Sequence, residues 1–433
     1  MQQAVINTGA MSVFNRHVVM LAMRRLFATY TTPASTETAA NLSTAAAEAV
    51  ATPEWNTSEP NETFYHKDLI IERCAPSQLQ PKPDWNNLRF GHHFSDHMVE
   101  CQWTEKNGWE KPRLNPMHML QLHPAAKCLH YATQLFEGMK AYRGVDNKIR
   151  IFRPELNMLR MRRSAKRACL PTFDTKELLK LIAELITIDQ EWVPYSTTSS
   201  LYIRPTFIGT DATLGVAQSL DALLFVVIGP VGAFYPTGFK PISLYADPSH
   251  IRSWPGGCGS VKMGSNYAPT ILIGKEAVDN GCQQVLWLFG EEQYLTEVGT
   301  MNIFIFWQNE QGEPELVTPP LESGLILPGV TRQCLLDLTR EWNEFKVSER
   351  RISIKDIIKA LKENRMWEMF GAGTACIVSP VDRILYKQGD MKHEFFIPTM
   401  QHRPCLMQRL FDAITDIQYG RVAKPGWTKL VVE

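Results

Sequence analysis

Hydrophobic positions recur at two different spacings along the chain, and together they predict a mixed α/β fold. Leucines and isoleucines follow helical spacing over 174–192, where Asp174 can cap a helix and Glu177 stands three residues later. The same spacing predicts a helix over 330–342. Runs rich in β-branched and aromatic residues predict strands over 200–209, 222–229, 284–289 and 301–307.

The elements are divided by one stretch that is typical of a connection between domains. Residues 229–241 read GPVGAFYPTGFKP and hold three prolines and three glycines. We therefore expect a smaller N-terminal α/β domain over 61–230, a connection over 231–245 and a larger C-terminal domain over 246–433.

Charge and cysteine content exclude several classes of protein. Lysine plus arginine equals aspartate plus glutamate at 45 each, so the basic excess of a nucleic-acid-binding protein is missing. The nine cysteines are scattered without a CxxC pair, which favours reduced thiols over a secreted disulfide framework. No apolar run approaches the ~18–20 residues of a membrane span. We expect neither a nucleic acid nor a membrane as partner.

The N-terminal segment differs in composition from the rest of the chain. Its first acidic residue is Glu37, and before it lie Arg16, Arg24 and Arg25 in a stretch that can form an amphipathic helix. An alanine-, threonine- and serine-rich tract follows. This composition is typical of a mitochondrial transit peptide, so 1–60 is interpreted as a transit peptide with a disordered segment. The mitochondrial matrix is the expected compartment, and the cytoplasm is the alternative.

Lys262 is the first candidate for chemistry, because it stands in the glycine-rich stretch GGCGSVKMGSNYAP. A lysine nucleophile loses its proton readily near positive or desolvating groups, and glycines let a flat ligand approach closely. Tyr267 could bind a phenolic oxygen on that ligand. Pyridoxal phosphate has both a carbonyl and a phenolic oxygen, although an ordinary turn explains the stretch better when it is taken alone.

Three more stretches in the same half of the chain suit this cofactor. Glu297 adjoins an apolar strand and could pair with a ring nitrogen. Gly329 precedes the predicted helix at 330–342, and the free amides of a helix start bind phosphate, with the Thr331 hydroxyl as a further donor. The bend FGAGTACIVSP around Thr374 offers a second set of amides.

A metal site is the alternative for the histidines of FGHHFSDHM. His92, His93 and His97 lie close together in sequence, and histidines at helical spacing can bind zinc. No third ligand motif accompanies them, and the stretch is interpreted as a strand. We therefore expect no metal.

The motifs KMGSNYAP, LTEVGTMNIF, LPGVTR and GAGTA, in this order, resemble the fold-type IV pyridoxal-phosphate enzymes. The resemblance is strongest to the branched-chain amino-acid aminotransferases of animals. It runs from about residue 67 to 419 and includes LHYATQLFEGMKAYRG, FRPELNMLRM and SLYIRPTFIGT. It implies a two-domain fold-type IV structure. It also implies reversible amino transfer from L-leucine, L-isoleucine and L-valine to 2-oxoglutarate, giving branched-chain 2-oxo acids and L-glutamate.

The resemblance also implies roles for the cofactor-binding residues. Lys262 would carry pyridoxal 5'-phosphate covalently and would move the proton between the substrate α-carbon and the cofactor C4′. Glu297 would pair with the pyridine nitrogen, and Tyr267 would bind the ring oxygen. The phosphate would be held by Arg160, Val330, Thr331 and Thr374.

Substrate roles follow from the same resemblance. Thr300 and the amides of Thr374 and Ala375 would face the substrate carboxylate, and Arg204 with Tyr202 would receive the distal carboxylate of glutamate. A partner subunit in a homodimer would lend Tyr131 and Val216. The aliphatic pocket would consist of Phe90, Phe136, Tyr202, Thr300 and Ala375.

Two alternatives and one departure accompany the resemblance. Another fold-type IV enzyme, such as a D-amino-acid aminotransferase or an aminodeoxychorismate lyase, would share Lys262 and Glu297. A homologue without catalysis could serve as a binding protein. The vertebrate relatives carry a CxxC pair after the GTA turn, whereas this chain has Cys376 and Ser379. We therefore expect their redox switching to be absent or altered here.

Overall fold

Two β-sheets and seven α-helices make up the part of the chain that the structure describes. The structure is a computed structural model, and it describes residues 62–232 and 239–432. The mixed α/β class predicted from the hydrophobic spacing is confirmed. The proposed transit peptide and the centre of the proposed domain connection lie outside the described residues, and the domain boundaries stay a prediction.

The first sheet contains ten strands among the described residues. They are β1 (Ile70–Ile71), β2 (His97–Thr104), β3 (Gly108–Trp109), β4 (Arg113–Pro116), β5 (Gln134–Phe136), β6 (Met139–Arg143), β7 (Ile149–Phe152), β8 (Ser200–Gly209), β9 (Asp221–Val231) and β19 (Thr428–Val432). Their spatial order is β1-β4-β2-β9-β8-β6-β7-β19, with β3 beside β2 and β5 beside β8. Because β19 pairs antiparallel with β7, this sheet also contains residues from the far end of the sequence.

The second sheet contains nine strands in the described part of the chain, and six of them close into a ring. The strands are β10 (Ile242–Ala246), β11 (Gln284–Phe289), β12 (Tyr294–Val298), β13 (Met301–Gln308), β14 (Pro314–Thr318), β15 (Lys346–Glu349), β16 (Met366–Gly373), β17 (Ile377–Gln388) and β18 (Met391–Phe396). The ring runs β12-β11-β10-β17-β16-β13 and returns to β12, so it forms a six-stranded barrel. Strands β14, β15 and β18 extend the sheet from β13 and β17.

The helices cover both sheets. They are α1 (Lys127–Tyr131), α2 (Pro154–Arg167), α3 (Thr175–Ile188), α4 (Thr270–Asp279), α5 (Val330–Trp342), α6 (Ile354–Lys362) and α7 (Leu406–Gln418). The predicted helix at 330–342 is confirmed as α5. The predicted cap of α3 is confirmed too, since the Asp174 carboxylate accepts from the backbone N–H groups of Lys176 and Glu177 at 2.7 and 3.2 Å.

Two predicted elements need correction. The helix predicted over 174–192 ends at Ile188, because Asp189 turns its carboxylate to the backbone and ring of His97, and a 3₁₀ turn (Gln190–Trp192) follows. The strand predicted for FGHHFSDHM begins only at His97, because a turn with Gly91 at φ +73° occupies the preceding residues. The predicted strands over 200–209, 222–229, 284–289 and 301–307 are confirmed as β8, β9, β11 and β13.

The hydrophobic core has three large parts. One lies between the first sheet and helices α2 and α3. A second lies inside the six-stranded barrel and includes the apolar face of α6. The third packs α5 and α7 against the barrel and also takes in Phe152 of β7, so it joins residues of both sheets. This continuity fixes the position of the strand ends that form the site described below.

All nine cysteines are free thiols. No helix in the described ranges has both the length and the apolar character needed to cross a membrane.

Candidate active site

A cavity of about 340 Å³ brings together side chains from both sheets. All the predicted site residues except Tyr131 and Val216 line it. These are Phe90, Phe136, Arg160, Tyr202, Arg204, Lys262, Tyr267, Glu297, Thr300, Val330, Thr331, Thr374 and Ala375. Residues that are far apart in the sequence therefore converge on one space, which is the usual arrangement of a ligand site between packed layers.

Lys262 lies on an irregular segment that is fixed by hydrogen bonds from its neighbours. Its backbone N–H donates to Ser164 Oγ at 2.9 Å, and its carbonyl accepts from the Phe136 N–H at 3.1 Å. The glycines of this stretch permit close packing, since a Cβ at Gly259 would lie 2.4 Å from the Leu325 carbonyl oxygen. The Lys262 Nζ donates to Tyr267 Oη at 3.0 Å.

The surroundings of Lys262 favour its neutral, nucleophilic form. Burial, assisted by the nearby charges of Arg160 and Arg204, lowers the pKa of Lys262 to about 7. Burial and the negative charge of Glu297 raise the pKa of Tyr267 to about 12, so its hydroxyl keeps its proton at neutral pH. A buried amine with a lowered pKa beside a phenol is the arrangement of a reactive lysine.

Glu297 lies on β12 and lines the cavity. One carboxylate oxygen accepts from the Leu327 N–H at 2.8 Å, and the other lies 3.1 Å from the Arg252 Nε. Burial raises the pKa of Glu297, while Arg252 opposes that rise. Strand β12 places this carboxylate beside β13, since Glu297 pairs with Asn302 across the two strands.

In contrast to the negative charge of Glu297, the start of α5 offers partial positive charge to the cavity. Its first residues, Val330 and Thr331, line the cavity with backbone N–H groups that have no partner within the helix, so this end attracts an anion. Gly329 is required there, because a Cβ would lie 2.1 Å from Asn302 Oδ1. The Arg160 guanidinium on α2 adds a positive charge and donates to the Pro328 carbonyl at 3.1 Å.

Aromatic rings and one further arginine form another wall of the cavity, called here the aromatic wall. The rings of Phe90 and Tyr202 meet edge to face, with their centroids 4.9 Å apart. The Arg204 guanidinium lies 4.7 Å from the Phe136 ring centroid and donates to Tyr202 Oη at 3.0 Å. Its Nε is buried and has no hydrogen-bond partner among the described residues.

Tyr131 and Val216 do not reach this cavity. Val216 is 84% exposed and Tyr131 is 40% exposed, and the Tyr131 hydroxyl donates to the carbonyl oxygen of Leu214. Within this chain, the structure therefore gives neither residue a contact with the site. Their assignment to a partner subunit stays a prediction.

The ring of His97 is engaged in structural contacts. Its Nδ1 lies 2.7 Å from an Asp189 carboxylate oxygen, and its Nε2 accepts from the Cys74 N–H at 2.8 Å. Both ring nitrogens are therefore used to join β2 to the end of α3 and to the N-terminal loop.

Sequence reasoning missed Glu137, which holds Arg160 in place. The two side chains form a bidentate pair, with Nε–Oε1 and Nη2–Oε2 distances of 2.7 Å each, and Glu137 is completely buried. Asn157 donates to the same carboxylate at 2.9 Å. In the sequence Glu137 stands in LFEGMK, between β5 and β6, where no local pattern distinguishes it from an ordinary loop carboxylate.

Arg252 was missed in the same way. It is 45 residues before Glu297 in the sequence, yet both side chains are only 3% exposed where they meet. Its Nη1 donates to the Leu325 carbonyl at 3.3 Å. Arg252 is thus the cation that compensates the buried carboxylate.

Comparisons with known proteins agree with this arrangement. The family described as amino-transferase class IV matches residues 134–384. A cytosolic branched-chain-amino-acid aminotransferase of Caenorhabditis elegans is 58% identical over 85% of this chain and 89% of that protein. A mitochondrial branched-chain-amino-acid aminotransferase of Bos taurus is 53% identical over 84% of this chain and 91% of that protein.

Solved structures show the same fold. A branched-chain amino acid aminotransferase of Thermobaculum terrenum in its pyridoxal-phosphate form has a TM-score of 0.63 at 21% identity, covering 79% of this chain and 100% of that one. A branched-chain amino acid aminotransferase of Escherichia coli has a TM-score of 0.59 at 25% identity, covering 77% of this chain and 100% of that one. The chain belongs to the class IV aminotransferases and, among them, to the branched-chain-amino-acid aminotransferase family.

Proposed function

We propose that this chain transfers the amino group of L-leucine, L-isoleucine or L-valine reversibly to 2-oxoglutarate, with pyridoxal 5'-phosphate as cofactor. The observation that carries the proposal is that Lys262, the Glu297 carboxylate and the anion-attracting start of α5 line one and the same cavity. The names of the two animal relatives support the substrate class.

The residues of the cavity fit the cofactor in chemistry. Its phosphate would meet the start of α5 and Arg160, which has two N–H groups left after its bonds to Glu137 and Pro328. Its pyridine nitrogen would meet Glu297, and its phenolic oxygen would meet Tyr267. Pyridoxal phosphate supplies an electron sink for the negative charge that develops at the substrate α-carbon.

Different residues would transfer the proton, keep the ring nitrogen protonated and orient the substrate. Lys262 Nζ binds the cofactor and, once released, takes the proton from the substrate α-carbon, because its lowered pKa of about 7 leaves a large neutral fraction near physiological pH. Glu297 keeps the ring nitrogen protonated through its negative charge. Thr300 and the amides of Thr374 and Ala375 orient the substrate carboxylate.

The aromatic wall suits two different substrates. Phe90, Phe136 and Tyr202 offer an apolar surface to an aliphatic side chain. Arg204 lines the same cavity, and its guanidinium offers a charge-assisted hydrogen bond to the distal carboxylate of glutamate. One pocket can thereby accept leucine in one half-reaction and glutamate in the other.

The proposal includes a homodimer. Val216, Leu214 and Tyr131 form an exposed apolar group at residues 131 and 214–216. Exposed apolar groups of this kind are typical of protein interfaces. A second copy would bury these side chains and would bring its Tyr131 and Val216 to the substrate end of the cavity.

The proposed compartment is the mitochondrial matrix, with the cytoplasm as the alternative. The basic, acid-poor composition before residue 37 supports it. The relatives include proteins named as cytosolic and as mitochondrial, so similarity of the folded part supports both compartments.

Initial rates over a panel of amino donors test the proposed substrate class. With 2-oxoglutarate as acceptor, we expect turnover of L-leucine, L-isoleucine and L-valine. For L-alanine and D-alanine we expect kcat/KM to be lower by about 10-fold or more, because each lost methylene forfeits ~1–3 kcal/mol. Preferred use of D-alanine would instead identify the enzyme as a D-amino-acid aminotransferase.

Arg252 provides a second test of the assigned roles. Arg252→Gln removes the compensating charge, so the pKa of Glu297 should rise further and the neutral carboxyl could no longer keep the ring nitrogen protonated. We expect kcat to fall about 10- to 100-fold with little change in KM, as for loss of one partner of a buried pair. A carboxylate is charged only above its pKa. As pH is lowered, Arg252→Gln should therefore lose activity at a higher pH than the wild type does.

Arg252→Lys is the matched control, since it retains the charge and should retain most of the activity. A pH profile of kcat in Arg252→Gln that overlays the wild-type profile would show that Arg252 does not set the ionisation of Glu297.

A further inference from the structure

The turn between β16 and β17 contains a strained residue. Ile377 has φ +63°, a left-handed conformation that is unfavourable for a β-branched side chain. The Val378 N–H donates to the Cys376 carbonyl at 2.8 Å across it, which closes a tight three-residue turn. Such strain persists only where surrounding contacts hold the backbone in place.

Lys140 supplies one of these contacts from the other sheet. Its Nζ, on β6, donates to the Ala375 carbonyl oxygen at 3.0 Å, and this is its one hydrogen bond among the described residues. Lys140 is 8% exposed, so a charged amine is buried to make a single bond to a backbone carbonyl. Burying an ammonium group is costly, and packing alone would be served better by an apolar side chain.

The turn separates Lys140 from the cavity of Lys262. Ala375 and Cys376 line that cavity, and they also line a neighbouring one to which Lys140 belongs. Lys140 is not among the residues that line the cavity of Lys262. Its hydrogen bond to the Ala375 carbonyl is therefore a route by which it can influence a ligand there.

The contact fixes a peptide that adjoins the substrate amides. The hydrogen bond orients the Ala375–Cys376 peptide, which follows directly on the Thr374–Ala375 peptide. Burial lowers the pKa of Lys140 to about 8, so the amine still carries positive charge at neutral pH. This charge also favours an anion on the other side of the turn.

We propose that Lys140 is a positioning residue for the substrate carboxylate: it holds the strained turn so that the amides of Thr374 and Ala375 face the ligand. The inference rests on the proposed function, because it concerns how the same cavity recognises its amino acid. It adds that Lys140, on β6 of the first sheet, contributes to recognition of the substrate carboxylate.

A pair of ligands that share a carbon skeleton, one with a carboxylate and one without, tests the proposal. 4-Methylvalerate has the carbon skeleton of leucine with its carboxylate, and 4-methylpentan-1-ol lacks the charge. Calorimetric titration of the cofactor-loaded protein would measure both affinities in wild type, Lys140→Met and Lys140→Arg. We expect Lys140→Met to weaken 4-methylvalerate binding about tenfold, the size of one lost hydrogen bond to a charged group, and to leave alcohol binding unchanged.

Steady-state kinetics provide the second measurement. The KM for L-leucine in Lys140→Met should rise about tenfold while kcat changes less, since the amides act in binding. Lys140→Arg should restore most of the affinity, because the guanidinium can donate to the same carbonyl. Cofactor content and circular dichroism confirm that each variant is folded.

Equal affinity of Lys140→Met and wild type for 4-methylvalerate would overturn the proposal. Equal weakening for acid and alcohol would also overturn it, since the residue would then only support the wall of the pocket. If the wild-type protein does not react with L-leucine, the proposed function itself fails. If it does react and Lys140→Met matches it in both titrations, only this inference fails.

Discussion

Replacing Lys262 with alanine is expected to abolish transamination while leaving the protein folded. The variant would lose both the covalent anchor of the cofactor and the base that removes the α-proton. General acid–base catalysis alone contributes up to about 10⁴-fold, so turnover should fall by at least about that factor. Steady-state rates with L-leucine and 2-oxoglutarate, measured on protein loaded with excess cofactor, would quantify the loss.

The folded state should tolerate this change. Burial and the charges of Arg160 and Arg204 lower the pKa of Lys262 to about 7, so protonating this lysine is unfavourable in the folded protein. Since the pKa is lowered on folding, the penalty is largest below about pH 7 and disappears as pH rises toward the ordinary lysine value. Alanine removes that penalty, and thermal unfolding below pH 7 should show no loss of stability of the cofactor-free protein.

Added primary amines separate the two roles of Lys262. Methylamine is small enough to enter the space left by the lysine side chain and can take the α-proton in its place. Partial recovery of the first half-reaction with methylamine, and none with trimethylamine as a bulkier control, is the expected result. Wild-type turnover in Lys262→Ala without added amine would contradict the assignment and would favour a different catalytic group.

The second large effect is expected at Glu137. In Glu137→Ala the buried guanidinium of Arg160 loses its bidentate partner, and an uncompensated buried charge costs about 3–5 kcal/mol of unfolding free energy. Arg160 would also lose its fixed orientation toward the start of α5. Urea unfolding should therefore show the loss of stability, and the cofactor should dissociate faster on dialysis.

Glu344 provides the matched control for Glu137. It forms the same type of bidentate pair with Arg409, at 2.5 and 2.7 Å, but both side chains are about half exposed. Glu344→Ala should leave the urea midpoint close to that of the wild type, because solvent screens this exposed pair, and should leave cofactor retention unchanged. If Glu137→Ala behaves like Glu344→Ala, the pair does not anchor the phosphate end of the site.

The elements that were predicted correctly have strong local signals. Helix α3 has an aspartate cap and a regular apolar stripe, and α5 begins directly after Pro328 and Gly329. The strand at 301–307 is almost wholly apolar and is buried in the barrel. Local propensity and tertiary packing agree in these segments, so the sequence alone was sufficient.

The features that were missed depend on contacts between distant parts of the chain. The early end of α3 is set by β2, because Asp189 is the partner of His97. Pairing of β19 with β7 joins residues about 280 positions apart, and the periodicity of the sequence does not predict it. Helical spacing could not reveal these contacts.

The same reason explains the result at the site. Lys262, Glu297 and the glycine-rich turns were identified because each stands in a distinctive local motif. Glu137 and Arg252 stand in loop sequence without a distinctive motif, and only the fold shows that they compensate Arg160 and Glu297. A buried carboxylate or guanidinium needs a partner, but the sequence does not say which one.

The absorption spectrum of the purified protein, recorded before and after addition of L-leucine alone, tests the central claim most directly. The account predicts a visible band of lysine-bound pyridoxal phosphate that L-leucine converts to the band of pyridoxamine phosphate without any added 2-oxo acid. A band that L-leucine leaves unchanged would contradict the substrate assignment. Absence of any band after addition of pyridoxal phosphate would contradict the role of Lys262 and favour a binding protein without catalysis.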